Sequence, residues 1–263
     1  MFKCEKSRKA ICMMITALAA VFLCTAAVAR DVKVMPGHTA KADSKEIACF
    51  AEPDGDGYAV LPPPPAFDSV HFMHDKAMYE TGLSLRNTDR GGQAAVDAGR
   101  YYKLDSLFKA FGTDITPEKT PEIYALLHCV GKKISDHRVK NLYKRARPYV
   151  FYNAHTCLPD AENKLRNTSS YPSGHSMRGW SMALILSEIN PARKEAILRH
   201  GYEYGQSRVI CGYHWQSDVD AGRLMAAIAV SAFHSDPGFM KRLRKAKDEF
   251  AELVKNGKVR QQP

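Results

Sequence analysis

The sequence predicts an all-α, single-domain protein, and three observations carry that reading. After Pro65, apolar residues recur three and four positions apart, the period of a helix face, and the two-residue alternation of a strand is scarce. Helix-start and helix-stop residues, such as Thr120-Pro121, Asn190-Pro191, Asp236-Pro237 and Gly112, separate these stretches. No segment repeats, and no linker-like composition marks a second domain. The 263 residues leave room for one large domain or two small ones, and with 45% hydrophobic and 25% charged residues the chain has the balance of a globular protein rather than a disordered one.

Taken in order, residues 1–29 read as a signal peptide. Lys3, Lys6, Arg8 and Lys9 form a basic start, Ile11 to Val28 is nearly all apolar, and Ala27-Val28-Ala29 is a small-x-small cleavage pattern. Residues 30–65 read as an extended lead-in ending in Leu61-Pro62-Pro63-Pro64-Pro65, whose prolines exclude a helix interior and favour a polyproline-like segment along the outside. Residues 66–263 form the helical domain. Asp68 is placed to cap a helix whose inward positions are expected at Val70, Met73, Ala77 and Met78. Thr88 to Gly92 breaks the pattern, and a second helix is expected from Gln93 to Phe111. A long helix is expected from Pro121 through Ile123, Leu126, Leu127, Val130 and Ile134 to Arg147, stopped by Pro148. Tyr149 to Ser170 reads as a long, functional loop. Helices then follow over residues 173–189, 191–208, 217–234 and 237–255, the last with a wet face at Lys241 to Lys247.

Charge and cysteines narrow the function. The net charge is +10, and the leader's four Lys/Arg and one Glu leave about +7 on the remainder, so anionic ligands such as phosphates and nucleotides are favoured. No apolar run after the leader approaches the roughly 20 residues that span a bilayer. Four cysteines follow the leader, Cys49, Cys129, Cys157 and Cys211; an exported chain permits disulfides, three pairings are possible, and Cys157 with Cys211 is one candidate.

Three segments carry chemistry. In Tyr171-Pro172-Ser173-Gly174-His175, small residues and a histidine stand where a helix begins, so backbone donors and a partial positive charge suit an anion. Lys140 and Arg147 are seven apart, two turns of the expected long helix, and so face one way. In Ser207-Arg208 to Asp218, His214 and Asp218 are four apart, so the carboxylate can hold one imidazole nitrogen and leave the other nucleophilic. Taken singly, each has a plainer reading: a turn, a solvated basic helix end, a surface ion pair. Together, Lys140, Arg147 and Arg208 supply cations, Ser173 and Gly174 backbone donors, and His175 and His214 an acid and a nucleophile, which is the inventory for phosphoryl transfer. His175 must be protonated and His214 neutral, which sets the working pH on the acid side of neutrality. His71 and His74 have no supporting ligand cluster, and His200 and His234 read as partners of helix ends. Tyr171 and Trp215 either wall the site or pack in the core.

The order Lys-x6-Arg-Pro, Pro-Ser-Gly-His, Ser-Arg-x5-His-x3-Asp resembles the signature of the type 2 phosphatidic acid phosphatase superfamily, matched by Lys140, Arg147, Pro148, Pro172, Ser173, Gly174, His175, Ser207, Arg208, His214 and Asp218. Leu61 to Pro65, Met78-Tyr79-Glu80, Leu85-Arg86-Asn87-Thr88 and Gly205 to Asp218 extend the likeness to the bacterial class A non-specific acid phosphatases. Ser169 and Ser176 depart from the Gly and Thr usual there. The resemblance implies a helical bundle of the acid phosphatase and vanadium haloperoxidase type. It implies a periplasmic phosphomonoesterase without metal or other cofactor, acting on phosphate monoesters, including nucleotides, and binding inorganic phosphate. His214 is the implied nucleophile, oriented by Asp218, and His175 the proton donor; Lys140, Arg147, Ser173, Gly174 and Arg208 are the implied phosphate ligands. It further implies phosphate transfer to alcohols, homo-oligomerisation, no nucleic-acid polymer as partner and no membrane insertion once the leader is cut. Three alternatives share the motif: a vanadium-dependent haloperoxidase, a lipid phosphatase and a non-catalytic phosphate-binding protein.

Overall fold

The computed structural model of the chain describes residues 47–50, 60–99, 109–134 and 137–259. The signal-peptide reading and most of the lead-in fall outside them. The chain divides into Met1–Lys45 and Glu46–Pro263, and every element below belongs to the second unit. Among the described residues these are α1 (Val70–Leu85), α2 (Asp89–Gly99), α3 (Pro121–Lys133), α4 (His137–Tyr143), α5 (Pro148–Phe151), α6 (Glu162–Leu165), α7 (Gly174–Ile189), α8 (Lys194–Ile210), α9 (Gln216–His234) and α10 (Pro237–Lys255). The all-α class is correct: the described residues contain helices and turns and no strand.

The bundle is built around α7. Buried residues cover most of its circumference, from Met177 and Met182 to Ile185, Leu186 and Ile189, leaving Arg178 and the row Trp180, Leu184 and Glu188 partly or fully exposed. α8 and α9 flank it, α10 lies against α3, and α1 and α2 cover α8. The main core joins Ile123, Leu126, Leu127 and Val130 of α3 to the inner residues of α7 and to Phe233, Phe239, Leu243 and Phe250. Each such side chain contributes about 1.5–3 kcal/mol on leaving water. Helix ends are closed by side chains: Ser69 accepts from Phe72 N at 3.2 Å, and Asp236 from Phe239 N at 2.7 Å. At α3, Glu249 of α10 takes the amides of Glu122 and Ile123 at 3.1 and 2.9 Å, so a carboxylate from a distant helix satisfies the donors of the α3 N-terminus. Disulfides join Cys49 to Cys129 and Cys157 to Cys211.

The last four helices lie within a few residues of expectation; the N-terminal half departs from it. Ser69, not Asp68, caps α1. The inward face of α1 is Phe72, Asp75, Tyr79 and Gly82, whereas Val70 and Met73 are 79% and 65% exposed. The apolar spacing selected the outer face because the inner one contains a carboxylate and a glycine. The second helix begins at Asp89, so the supposed break at Thr88 to Gly92 is largely its first turn. The long helix to Arg147 does not exist. α3 ends at Lys133, α4 at Tyr143, and Lys144 has φ of +45°, a left-handed conformation that stops the helix. Pro148 starts α5, at the position where proline's missing N–H costs nothing, rather than ending a helix. His200 lies within α8, not near its end, while His234 does close α9, with Nδ1 2.7 Å from Val230 O. Leu61 is buried and the prolines after it are partly or fully exposed, in keeping with an extended segment on the outside.

Candidate active site

Three chain segments converge at the N-terminal end of α7. Ser173 caps that helix, its hydroxyl accepting from Ser176 N at 3.3 Å, and its own N–H donates to Asp218 O at 2.9 Å. That second bond ties the start of α7 to the first turn of α9. The two helices approach so closely there that a Cβ on Gly222 would stand 2.5 Å from Ser173 O. The expectation that Ser173 offers a backbone donor is therefore corrected: its amide is already engaged by Asp218. Gly174 lines the cavity.

The cavity is about 490 Å³. Lys140, Arg147, Arg208, Gly174, His175 and His214, all anticipated from sequence, lie on its wall. Asp218 is fully buried behind His214, and Ser173 is buried beneath Gly174. Ala98 and Gly99 at the end of α2, and Leu158, Ala161, Lys164, Leu165 and Tyr213, complete the lining and were not anticipated. Tyr171 and Trp215 are core residues: Tyr171 donates its hydroxyl to Pro62 O, and Trp215 packs on Phe72 at 5.0 Å.

Lys140 and Arg147 reach one cavity by a route different from the one expected. Lys140 sits on α4, and Arg147 on the extended stretch before α5 (φ −74°, ψ 153°). The Arg147 guanidinium donates to Leu165 O, Tyr213 O, Thr168 Oγ1 and Ser169 O at 3.0–3.2 Å, so it also pins the 158–170 loop to the His214 turn. That turn needs Gly212, whose φ is +76°. The Cys157–Cys211 bridge fixes the same loop from its other end. Arg208, on the last turn of α8, lies 4.2 Å from the Tyr213 ring centroid and donates to Ala98 O at 3.4 Å.

Hydrogen bonding settles both histidine tautomers. His214 Nε2 lies 3.2 Å from Arg147 Nη1. A guanidinium only donates, so Nε2 accepts, and the ring proton is on Nδ1. His214 Nδ1 stands 3.4 Å from Asp218 Oδ2, without the alignment of a formed hydrogen bond. His175 Nε2 lies 3.2 Å from Asp97 O. A carbonyl only accepts, so Nε2 carries hydrogen, and Nδ1 is the nitrogen that can gain or give a proton. The His175 ring stacks on Tyr204 at 5.2 Å.

Burial, first, pushes both histidines well below the usual imidazole range. For His175 the next causes are Arg208 and then His214 and Arg178, with the Asp97 carbonyl opposing. For His214 they are Arg147, Arg208 and Lys140, with the Ser170 carbonyl opposing. Asp218 is raised by burial, against the opposing pull of Arg145 and of the Trp215 amide. Arg145 escaped the sequence reading although it lies between Lys140 and Arg147. Among the described residues no group of three His, Cys, Asp or Glu side chains could hold a metal ion, and no described helix is long and apolar enough to cross a membrane.

Comparison with known proteins agrees with this architecture. Residues 123–239 match the PAP2 superfamily. The chain is 51% identical over 205 residues to a non-specific acid phosphatase of Providencia stuartii, covering 76% of this chain and 83% of the relative. It is 41% identical over 196 residues to a non-specific acid phosphatase of Salmonella typhimurium, covering 72% and 78%. It is also 33% identical over 218 residues to an acid phosphatase of Zymomonas mobilis, covering 81% of each. With its helical bundle and all three sequence motifs gathered at one cavity, the chain belongs to the PAP2 superfamily and, within it, to the non-specific acid phosphatases.

Proposed function

We propose that the protein hydrolyses phosphate monoesters through a phosphohistidine. The carrying observation is the pair of imidazoles at one cationic cavity: His214 presents an unprotonated Nε2, and His175 carries hydrogen on Nε2 toward Asp97 O. His214 Nε2 attacks phosphorus in line, forming the P–N bond as the bond to the leaving oxygen breaks. The proton on His175 Nδ1 passes to that oxygen, and the product alcohol departs. Water then attacks the phosphohistidine, Nδ1 of His175 takes a proton from it, and cleavage of P–N releases phosphate and restores both rings. Arg208, Lys140 and Arg147 neutralise the charge on the phosphoryl oxygens, while Gly174 lets them approach the helix start. Ser173 contributes by holding that start in place. Asp218 faces the Nδ1–H of His214 and offsets the positive charge that the ring gains on phosphorylation.

The depressed basicity of the two rings bears on these roles in opposite ways. Burial keeps His214 neutral well into acid, as a nucleophile must be; the same burial and Arg208 work against the charged His175 that the scheme needs. Turnover therefore rises as pH falls toward the range where that ring takes up its proton, helped by the negative charge of a bound phosphate beside Arg208. An alcohol in place of water would accept the phosphoryl group, which makes phosphotransfer a second outcome of the same intermediate. The basic, apolar leader at residues 1–29 and the two disulfides support export to the periplasm, with residues 30–65 leading into the catalytic domain and a homo-oligomer as the working form.

The test is hydrolysis of p-nitrophenyl phosphate between pH 5 and 7 with EDTA present. Turnover is expected in wild type and its loss in His214→Ala, with trapping of acid-labile phosphate on the wild-type enzyme alone. Equal turnover in His214→Ala would overturn the reading.

A further inference from the structure

Behind His214, on the side away from the cavity, lies a buried charge cluster that the reaction scheme above does not use. Arg145 is 6% exposed and Asp75 and Asp218 are fully buried. Arg145 Nη1 donates to Asp218 Oδ1 at 2.6 Å and to Ser217 Oγ at 2.8 Å, and its Nη2 donates to Asp75 Oδ2 at 2.7 Å. Asp75 in turn accepts from Ser217 N at 2.8 Å and from Ser217 Oγ at 2.6 Å. The second oxygen of Asp218 accepts from Trp215 N at 2.8 Å and is the one that faces His214 Nδ1. Every oxygen of the two carboxylates therefore has a protein partner, and Asp218 has one orientation open to it. The Arg145 backbone is fixed as well: its N–H donates to Ser169 Oγ at 3.0 Å, and its carbonyl accepts from Ser170 N at 2.8 Å.

We propose that Arg145 and Asp75 are positioning residues for the reaction, holding the Asp218 carboxylate in place behind His214 and setting the charge there. This rests on the phosphatase reading of the site. Neither residue touches the cavity; both act through Asp218. Alone, a buried Asp218 is pushed toward its neutral form, and Arg145 is the largest influence opposing that shift. A carboxylate paired with one guanidinium would have little net charge left for His214. The second carboxylate, Asp75, restores a net negative cluster of two carboxylates to one guanidinium, on the side of the ring where positive charge appears on phosphorylation. Asp75 comes from α1, outside all three motif segments, so it couples α1 to the chemistry by charge, beside the packing of Phe72 on Trp215 and Arg145.

The experiment compares wild type, Asp75→Asn, Arg145→Ala and Arg145→Lys, each also in an Asp218→Asn background, per mole of folded protein. Substrate is p-nitrophenyl phosphate, and inorganic phosphate serves as competitive inhibitor. Asp75→Asn and Arg145→Ala should lower kcat about tenfold or more, by analogy with the loss when the hydrogen-bond partner of a metal-bound histidine is altered. KM and the inhibition constant for phosphate should move less than about threefold, because the cavity cations are untouched, an expectation resting on additivity between separate sites. Arg145→Lys should recover part of the loss. In the Asp218→Asn background the same changes should have almost no further effect on kcat. Asp75→Asn, which preserves shape, carries the test if Arg145→Ala does not fold. Unchanged kcat in folded Asp75→Asn, or full multiplicative losses in the Asp218→Asn background, overturns the proposal while leaving the phosphatase reading intact. An inactive wild type overturns both.

Discussion

The two sides of the His214 ring are built from opposite charge. In front, toward the cavity, stand Lys140, Arg147 and Arg208, with Lys164 also on the wall, and among the described residues no carboxylate lines that cavity. Behind stand Asp75 and Asp218 with only Arg145 between them. The front has water-accessible volume and a ligand's worth of space; the back is closed, with each carboxylate oxygen hydrogen-bonded. The difference teaches that net charge is a poor guide to this site. What matters is a gradient across one imidazole, with fixed cations on the cavity side and fixed anions on the far side, where the proposed phosphorylation would make the ring positive.

Four experiments bear on that contrast. The largest effect is expected at the front. Arg208→Ala should lower kcat/KM for p-nitrophenyl phosphate about 100- to 1000-fold, the usual loss on removing one donor to developing charge, and should weaken competitive inhibition by phosphate. A loss confined to kcat would move Arg208 to the back side's kind of role. Next comes the back: Asp218→Asn should reduce kcat about 10- to 100-fold with little change in phosphate inhibition, and a matched loss of phosphate binding would erase the distinction between the sides.

The third concerns acid. Both rings are less basic folded than unfolded, so the unfolded chain binds more protons between the depressed values and about 6.5. The stability that comes from keeping them neutral is whole above about 6.5 and is lost as pH falls through the folded values. The melting temperature should therefore fall from pH 7 to pH 5. Inorganic phosphate at 100 times its dissociation constant should add about 2.7 kcal/mol, and more of the acid loss should be recovered in wild type than in Arg208→Ala. A melting temperature that rises on acidification would contradict the burial of two neutral rings. The smallest effect is the control. Arg244→Ala removes one positive charge, as Arg208→Ala does, but from the exposed face of α10. It should shift stability by no more than about 0.5 kcal/mol and leave kinetics unchanged.

The same contrast marks what could be read from sequence. The front-side motif residues were legible, because three cations, a glycine and two histidines fall in short motifs whose chemistry can be argued without coordinates. So were α7 to α10, whose apolar periods are long and whose ends are flagged by Ser173, Pro191 and Pro237. Back-side residues were not legible. Asp75 lies on the buried face of α1 with Phe72 and Tyr79, three before it and four after, and a hydrophobic count rejects that face because of it. The available signal was that very misfit: a carboxylate in register with two aromatics. Arg145 was hidden by a wrong helix, since continuing α3 through Arg147 made it one more solvated cation. Only the left-handed Lys144 and the extended Arg147 turn it inward. The residues of the cavity wall from 158 to 165 come from short turns with no period to detect.

The Cys157–Cys211 bridge ties the 158–170 loop to the turn that carries His214, and Arg147 completes the clasp. A freshly made chain with two thiols at that point owns every catalytic side chain yet lacks the fastening that keeps them in formation. One covalent crosslink thus fastens together two walls of the pocket that lie 54 residues apart along the chain.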